Sequence, residues 1–321
     1  MMRPRLRVTR RLPAAVESAL RERFDVVQDE ADAGLSAAQL VAAMEECDAL
    51  LPTVTDRLDA ACFALPHLRC RIIANFGVGV NHIALDAARA AGVVVTNTPD
   101  VLTDDTADLT MLLMLAVLRR AGEGERELRD GRWQGWRPTQ MLGRRLTGKT
   151  LGIVGFGRIG RAVARRARDG FGMRVFAWSR TLPPLAERDG VEFVASLEAL
   201  LPQVDLLSLH CPATAQTKHL IGASHLARLR PDAVLINTTR GDVVDEQALV
   251  DALRTGRLAG AGLDVYEQEP AVHPGLLTRD DVVLLPHLGS ATHEGREAMG
   301  MRALANLGQF FAGLDPQDRI V

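Results

Sequence analysis

The sequence predicts an α/β protein built from two doubly wound, parallel-sheet domains of the Rossmann type. Its 321 residues are enough for about two domains of ~150 residues each. Short apolar runs alternate with helical patterns through both halves of the chain, which is typical of a parallel sheet covered by helices on both faces. A glycine-rich turn at 155–160 follows one such run and leads directly into a helical pattern. These observations together predict two successive β-α series.

The first series fills about a hundred residues and ends in a long apolar helix. Its predicted strands are 6–9, 25–27, 48–51, 71–75 and 93–96, and its predicted helices are 13–23, 36–46, 56–65 and 81–91. The long helix is predicted over 103–120, with Thr103 as its cap and Asp104 and Asp105 in its first turn. Residues 122–147 are polar and rich in Gly, Arg and Trp, and we expect a loop there.

The second series resembles the first in its alternation. Its predicted strands are 150–154, 174–178, 204–209, 233–237, 261–265 and 282–285, and its predicted helices are 158–169, 196–201, 223–229, 245–255 and 292–311. In doubly wound sheets, ligands bind beyond the carboxyl ends of the strands. Functional residues are therefore expected in the segments that follow each strand.

Composition excludes several classes of protein. A net charge of −2 argues against a basic nucleic-acid surface, and the longest apolar run, 111–118, is far shorter than the ~20 residues of a membrane span. The four cysteines are scattered without metal-ligand spacing, so we expect reduced thiols and no metal. Residues 1–11 are Arg-rich, as in a transit peptide, but 6–9 alternates like a strand. We therefore expect a cytoplasmic protein.

The glycine-rich turn predicts a dinucleotide site. Gly155 and Gly157 allow a close backbone approach to a pyrophosphate, and Gly160 allows the helix to pack closely on the strand. Arg158 and Ile159 lie inside the motif, at the start of the helix, where free N–H groups and the helix dipole favour an anion. The alternative is a glycine-rich turn without a ligand, but the strand before it and the helix after it favour the cofactor.

The segment after the next predicted strand favours NADP(H) over NAD(H). An NAD-binding fold usually carries Asp or Glu about 20 residues past the glycine turn, where the carboxylate binds the ribose hydroxyls. Here Ser179, Arg180 and Thr181 follow the strand, without an acid. A cation flanked by two hydroxyls suits a 2′-phosphate, which a carboxylate would repel. The alternative is an exposed turn of chance composition, and NAD(H) stays possible.

Three further strand ends carry an Arg, a carboxylate and a His. Arg240 follows the strand at 233–237, Glu269 lies in the segment 264–270, and His287 follows the strand at 282–285. An Arg offers a bidentate fork to a substrate carboxylate, and a His exchanges protons near neutral pH. A carboxylate partner orients the imidazole and favours its charged form. Each residue alone could be an ordinary surface charge, but the three together predict a site that reduces a keto acid.

These motifs also resemble a known family. The glycine turn, INTTRGDVVDE, GLDVYEQEP and LLPHLGSAT occur in the order found in the D-isomer-specific 2-hydroxyacid dehydrogenases, and NFGVGVNHI and NTPDVLTDDTADLTMLLML are similar as well. The closest resemblance is to the glyoxylate/hydroxypyruvate reductases. It implies a cofactor domain at 101–289 inserted into a flavodoxin-like substrate domain formed by 1–100 and 290–321. It also implies a homodimer.

The resemblance assigns roles by position. Arg240 would hold the carboxylate of a small 2-keto acid and polarise its carbonyl, and His287 would be the acid/base with Glu269 as its partner. The N–H groups of Val78 and Gly79 would receive the same carboxylate. Further cofactor-binding residues would be Thr106, Cys211, Pro212, Thr217, Thr238, Thr239, Asp264 and Gly289. Trp136 would narrow the substrate pocket; the alternative is a surface aromatic that packs at a subunit contact. Leu51 lies at a predicted strand end of the first domain, and we expect it in the facing wall of the pocket.

Other functions stay open at this point. Glu269 argues against a formate dehydrogenase of the same superfamily, which would not be expected to carry a Glu beside its histidine. A phosphoglycerate dehydrogenase is closer, although many of these have an additional regulatory domain. A nicotinamide-sensing corepressor shares the fold and can keep the Arg, Glu and His. Because the chain lacks Pro/Ser-rich tails that recruit partners, the sequence favours the enzyme.

Overall fold

A computed structural model describes residues 3–321, apart from the side chain of Glu187. The chain divides into two compact domains: the first contains the chain up to Leu102 together with Ala291–Val321, and the second is Thr103–Ser290. The boundaries predicted from the sequence, after residues 100 and 289, lie two residues and one residue earlier. The second domain is thus inserted into the sequence of the first.

The first domain begins with the five predicted strands and three of the four predicted helices. The strands are β1 (Arg5–Val8), β2 (Asp25–Val27), β3 (Ala49–Leu51), β4 (Ile72–Ala74) and β5 (Val94–Thr96), and the helices are α1 (Ala14–Arg23), α2 (Ala37–Glu46) and α3 (Leu85–Ala90). The sheet is parallel, in the order β2-β1-β3-β4-β5. This is the flavodoxin-like order that the family resemblance implies.

The second domain contains seven strands in one parallel sheet, in the order β12-β11-β10-β9-β6-β7-β8. The strands are β6 (Thr150–Val154), β7 (Arg174–Trp178), β8 (Glu192–Phe193), β9 (Leu206–Leu209), β10 (Val234–Asn237), β11 (Gly260–Leu263) and β12 (Val282–Leu284). The helices are α4 (Thr103–Leu118), α5 (Ala121–Arg129), α6 (Arg158–Phe171), α7 (Leu197–Leu200), α8 (Ala223–Leu226), α9 (Glu246–Arg254) and α10 (Pro274–Leu277). The predicted class, two parallel-sheet α/β domains, is confirmed.

Both faces of the second sheet are covered. One apolar core lies under α4 and α6 and includes Leu113, Met114 and Ile153, which are all fully buried. The other lies under α7, α8 and α9 and includes Leu207 and Leu235. Because alternate residues of a strand point to opposite faces, a sheet covered on both sides needs strands that are apolar throughout. The residues of β9 and β10 are accordingly all buried.

The last helix, α11 (His293–Phe311), belongs to the first domain. It packs against α1 and β4. A Cβ atom on Gly300 would lie 2.5 Å from both methyl groups of Val16, so a glycine allows the two helices to approach closely. Further along, Phe24 and Phe311 meet edge to face with ring centroids 5.7 Å apart.

Three local predictions were wrong. Residues 122–147 were expected to form a loop but include most of α5, whose polar, charged surface leaves no residue buried and so gave no apolar signal. Residues 56–65 form a 3₁₀ turn only at Ala60–Phe63. Thr103, expected to cap α4, is instead its first residue.

Within residues 3–321, no helix combines the length and apolarity needed to cross a bilayer. Among the described side chains, no group of three or more His, Cys, Asp or Glu is placed to hold a metal ion. Cys47, Cys62, Cys70 and Cys211 are buried free thiols.

Candidate active site

The glycine turn after β6 is shaped by two close backbone approaches. Gly155 has φ of 92°, and a Cβ there would lie 2.6 Å from the nitrogen of Cys211. A Cβ on Gly160 would lie 2.4 Å from the carbonyl oxygen of Gly155. Since β6 and β9 are neighbours from which the chain winds in opposite directions, this turn lies at the topological switch point of the sheet.

The middle glycine faces open space. A Cβ built on Gly157 has no atom within 4 Å, and no side chain caps the start of α6. Arg158 is exposed and Ile159 is partly buried. The first N–H groups of α6 therefore face an uncrowded side of the loop, as a bound pyrophosphate requires.

The segment after β7 carries the residues predicted to select the cofactor. Ser179 is partly buried, and Arg180 and Thr181 are exposed. The carbonyl of Trp178, the last residue of β7, accepts a hydrogen bond of 2.9 Å from the nitrogen of Gly155. The segment therefore starts directly beside the glycine turn. Among the described side chains, none forms a hydrogen bond or ion pair with Arg180.

The loop after β9 is held by its own hydroxyl groups. Thr217 is buried, and its Oγ1 donates to the carbonyl of Pro212 at 2.6 Å and accepts from the nitrogen of Thr214 at 2.8 Å. Cys211 precedes this turn, and burial raises the pKa of its thiol to about 11. The thiol is therefore protonated and unreactive at neutral pH.

The segment after β10 presents Arg240. Asn237 Nδ2 donates to the Arg240 carbonyl at 2.9 Å, and Thr239 Oγ1 donates to the Cys211 carbonyl at 2.5 Å. Thr238 is buried, with its hydroxyl 3.0 Å from that of Thr110 on α4. These bonds fix the backbone on both sides of the arginine. Burial lowers the pKa of Arg240, although the nearby Glu269 raises it.

A glycine brings Arg240 close to the next strand end. A Cβ on Gly241 would lie 1.8 Å from the carbonyl carbon of Tyr266 and 2.3 Å from the nitrogen of Glu267. The backbone after Arg240 therefore runs directly over the backbone after β11. Only glycine allows this approach, and it brings Arg240 into the electrostatic range of Glu269.

Glu269 and His287 form a hydrogen-bonded pair. His287 Nδ1 lies 2.8 Å from Glu269 Oε2, and Glu269 Oε1 accepts a bond of 3.0 Å from the nitrogen of Tyr266. Burial alone raises the pKa of Glu269, but the bond to His287, its positive charge, the Tyr266 amide and Arg240 hold it below its ordinary value. The carboxylate is thus ionised and directs Nε2 of the imidazole away from the pair.

Asp264 holds the turn that carries the histidine. Its Oδ1 accepts from the nitrogen of Leu288 at 2.6 Å, its Oδ2 accepts from that of Gly289 at 2.8 Å, and its carbonyl accepts from that of His287 at 2.9 Å. Thr106 Oγ1 donates to the Gly289 carbonyl at 2.9 Å. His287 has φ of 57°, which few non-glycine residues adopt. Asp264 thereby fixes the direction of the imidazole.

The strand ends of β10, β11 and β12 thus bring together the Arg, Glu and His that the sequence predicted. Residues 111–289 match the sequence profile described as "D-isomer specific 2-hydroxyacid dehydrogenase, NAD binding domain". The chain belongs to this family. The resemblance inferred from the motifs is confirmed.

Named relatives of this dehydrogenase match it along almost its whole length. A glyoxylate reductase from Thermococcus onnurineus is 44% identical over 321 residues, covering 98% of this chain and 95% of the relative. The crystal structure of a glyoxylate reductase from Paecilomyes thermophila matches with a TM-score of 0.88 and 33% sequence identity. This match covers 100% of this chain and 99% of the other chain.

A third similar protein was solved with ligands. It is an NADPH-dependent glyoxylate/hydroxypyruvate reductase from Sinorhizobium meliloti in complex with NADP and malonate. Its TM-score to this dehydrogenase is 0.88, and the two sequences are 38% identical. The match covers 99% of this chain and 97% of the Sinorhizobium meliloti chain.

The remaining predicted residues of the dehydrogenase lie elsewhere. Leu51, at the end of β3 in the first domain, is fully buried. Val78 and Gly79 follow β4, and the Val78 side chain is 37% exposed. Trp136, in the second domain, is 80% exposed and lies in a groove of about 480 Å³ with Trp133. Arg240, Glu269 and His287 do not line this groove. The roles of all four in substrate binding remain predictions.

Sequence reasoning missed Tyr266 and Gly241. Tyr266 is the only tyrosine in the sequence, and its hydroxyl donates to the carbonyl of Leu285 at 2.9 Å while its nitrogen holds Glu269. It thus joins the segments after β11 and β12. The signals available in the sequence were the Arg-Gly pair and the single tyrosine immediately after a strand, but neither indicates a contact until the strands are placed side by side.

Proposed function

We propose that this chain reduces a small 2-keto acid, such as glyoxylate or hydroxypyruvate, to the D-2-hydroxy acid with NADPH. The observation that supports this most strongly is the grouping of Arg240, Glu269 and His287 at three adjacent strand ends. A proton donor, its carboxylate partner and a carboxylate-binding cation are the groups that such a reduction needs. The names of the relatives are consistent with this substrate class.

The residues present fit a dinucleotide. Gly155 and Gly160 allow the tight turn, Gly157 leaves the approach open, and the start of α6 offers N–H groups. When bound, the reduced nicotinamide supplies the hydride that the keto carbon accepts. Thr106, Thr238, Asp264 and the loop after β9 are proposed to border it.

His287 then provides the proton. With Nδ1 bound to Glu269, the imidazolium keeps Nε2–H for the carbonyl oxygen of the substrate, which gains negative charge as the reaction proceeds. Positioned proton transfer of this kind typically contributes about 10²–10⁴-fold in rate. The Glu269 carboxylate stabilises the charged imidazole before transfer, and Asp264 keeps its backbone in place.

Arg240 is proposed to bind the substrate carboxylate and to polarise the carbonyl. Its partly buried guanidinium is less screened by solvent than an exposed one, so its charge acts more strongly on a nearby anion. In the first domain, the N–H groups of Val78 and Gly79 are proposed to receive the same carboxylate. Both contributions bind the acid group that distinguishes a keto acid from a simple aldehyde or ketone.

The direct test follows absorbance at 340 nm with purified protein, NADPH and a panel of 2-keto acids. We expect glyoxylate and hydroxypyruvate to be reduced, and the D-hydroxy acid to be the product formed from hydroxypyruvate. Absence of NADPH or NADH oxidation with every 2-keto acid tested, in a protein that is folded by circular dichroism, would contradict the proposal.

Glu269→Gln is expected to lower kcat about 10–100-fold and to change the pH profile. Because the pKa of Glu269 is lowered, the wild-type carboxylate stays ionised until the pH falls below its ordinary range near 4. The stabilising charge of Glu269 is therefore present above this range and is lost as the pH falls and the carboxylate protonates. A glutamine carries no charge and does not titrate, so the loss of activity on the acid side that protonation of Glu269 causes should be absent from the variant. Identical pH–kcat profiles for the two proteins would contradict this role.

We further propose that NADPH is preferred over NADH. The exposed Arg180 beside Ser179 and Thr181 suits a 2′-phosphate, and no acid follows β7 before Glu187. Arg180→Gln should raise the KM for NADPH about 10–100-fold, since a charge-assisted hydrogen bond contributes about 1.5–3 kcal/mol. The KM for NADH should change less than twofold. A wild-type kcat/KM that is higher with NADH would overturn the preference.

A cytoplasmic homodimer formed through the second domain is also proposed. The exposed aromatic groove beside α5, with Trp133, Trp136 and Leu128, is the surface that we expect to be covered. Light scattering on the purified protein tests this, and a mass near 35 kDa would contradict it because the chain itself has a mass of 34.8 kDa.

A further inference from the structure

The carbonyl groups of the loop after β4 are bound by two asparagine side chains. Asn75 Nδ2 donates to the carbonyl of Gly77 at 2.9 Å and to that of Gly79 at 3.1 Å. Asn97 Nδ2 donates to the carbonyl of Val78 at 2.9 Å. Three consecutive carbonyl oxygens of this loop are therefore bound by donors of the first domain.

Both asparagines are rigidly placed. Asn75 directly follows β4 and is fully buried, and Asn97 directly follows the neighbouring β5 and is 9% exposed. The ring nitrogen Nε2 of His82 lies 3.0 Å from Asn75 Oδ1. When His82 donates there, the Asn75 amide must turn its NH₂ toward the loop. The carbonyl of Asn97 itself accepts from Asn306 Nδ2 at 3.2 Å.

Binding of these carbonyls fixes the direction of the N–H groups that follow them. In a planar trans peptide unit, the C=O of one residue and the N–H of the next point in opposite directions. The bond to the Gly77 carbonyl therefore fixes the N–H of Val78, and the bond to the Val78 carbonyl fixes the N–H of Gly79. Within the described chain, neither of these two N–H groups donates to another group.

We propose that Asn75 and Asn97 are positioning residues that orient the N–H groups of Val78 and Gly79 to bind the substrate carboxylate. This inference rests on the proposed function and adds how the anion site is built. Successive N–H groups that point into one concavity bind anions. Donors that are already oriented avoid the ordering cost of binding. The two side chains act through the loop and do not themselves touch the substrate.

The test replaces Asn97 with leucine, which has a similar size but cannot donate a hydrogen bond. We expect the KM for glyoxylate to rise about tenfold, the cost of a weakened charge-assisted contact. The inhibition constant of malonate, a dicarboxylate that is not reduced, should rise by the same factor. The KM for NADPH should change less than twofold, and kcat less than threefold, because a carboxylate contact present in both substrate and transition state affects binding.

Gln28→Leu is the matched control. Gln28 Nε2 also donates to a main-chain carbonyl of the first domain, that of Arg10, at 2.8 Å. Its replacement should lower Tm without changing the KM for glyoxylate or the inhibition constant of malonate. Asn75→Leu removes two loop bonds and should have a larger effect than Asn97→Leu on the same two constants. Should Asn75→Leu fail to fold, Asn97→Leu and its control still decide the question.

Unchanged constants for glyoxylate and malonate in Asn97→Leu would overturn the inference, as would an equal rise in the KM for NADPH. If the wild type reduces no 2-keto acid, the proposed function fails, but the inference about the two asparagines is not yet decided. Calorimetric titration of malonate into the wild type, Asn97→Leu and Gln28→Leu then still tests the anion site. If malonate bound to all three proteins with the same Kd, the proposed role of the two asparagines would be overturned.

Discussion

Replacing His287 with alanine is expected to lower kcat by about 10²–10⁴-fold while the Kd for NADPH changes less than twofold. The reason is that Nε2 of this imidazole is the group proposed to give the proton, with Nδ1 bound to Glu269 at 2.8 Å. The glycine turn proposed to bind the dinucleotide does not involve this side chain. Stopped-flow or steady-state assays with glyoxylate give kcat, and fluorescence titration of NADPH gives the Kd.

His219→Ala is the control for this experiment. His219 Nε2 lies 2.7 Å from Glu267 Oε1, so it forms an imidazole–carboxylate pair of the same type in the same domain. Its loss should leave kcat within twofold of the wild type. A His287→Ala variant with a kcat near that of the wild type would refute the role of His287 as proton donor. A comparable loss in His219→Ala would indicate general damage to the domain.

Replacing Gly241 with alanine is expected to destabilise the protein by about 3 kcal/mol or more and to abolish reduction of keto acids. The added Cβ would lie 1.8 Å from the carbonyl carbon of Tyr266 and 2.1 Å from its oxygen. Two backbone segments must then separate, because no side-chain rotation relieves the clash. The separation moves Arg240 away from Glu269. Chemical denaturation measures the stability, and NADPH oxidation measures the activity.

Gly170→Ala provides the matched glycine control. Gly170 lies within α6, and a Cβ there has no atom within 4 Å. Since alanine favours a helix over glycine by about 1 kcal/mol, this variant should be as stable as the wild type or slightly more stable. A Gly241→Ala variant with wild-type stability and activity would show that the two strand ends are not held together as described.

Much of this protein follows from local patterns. The strands of the second domain were predicted to within two residues at each end, apart from β8, because buried parallel strands are apolar and short. The two-residue β8 and the four-residue α10 are too short to have a detectable period. α5 was missed because none of its residues is buried. Thr103 was misplaced by one position because helix ends fray and their boundaries vary by one or two residues.

The sequence by itself determined the fold class, the cofactor turn, and which residue types stand at the strand ends. These features are local: a strand, a turn and a helix each follow from a few neighbouring residues. Only the tertiary structure decided which of those residues meet. The pairing of His287 with Glu269, the bonds of Asp264 to the turn after His287 and the bond of Asn97 to Val78 join residues 18 to 25 positions apart. Such contacts depend on strand order and backbone direction, which a single sequence does not contain.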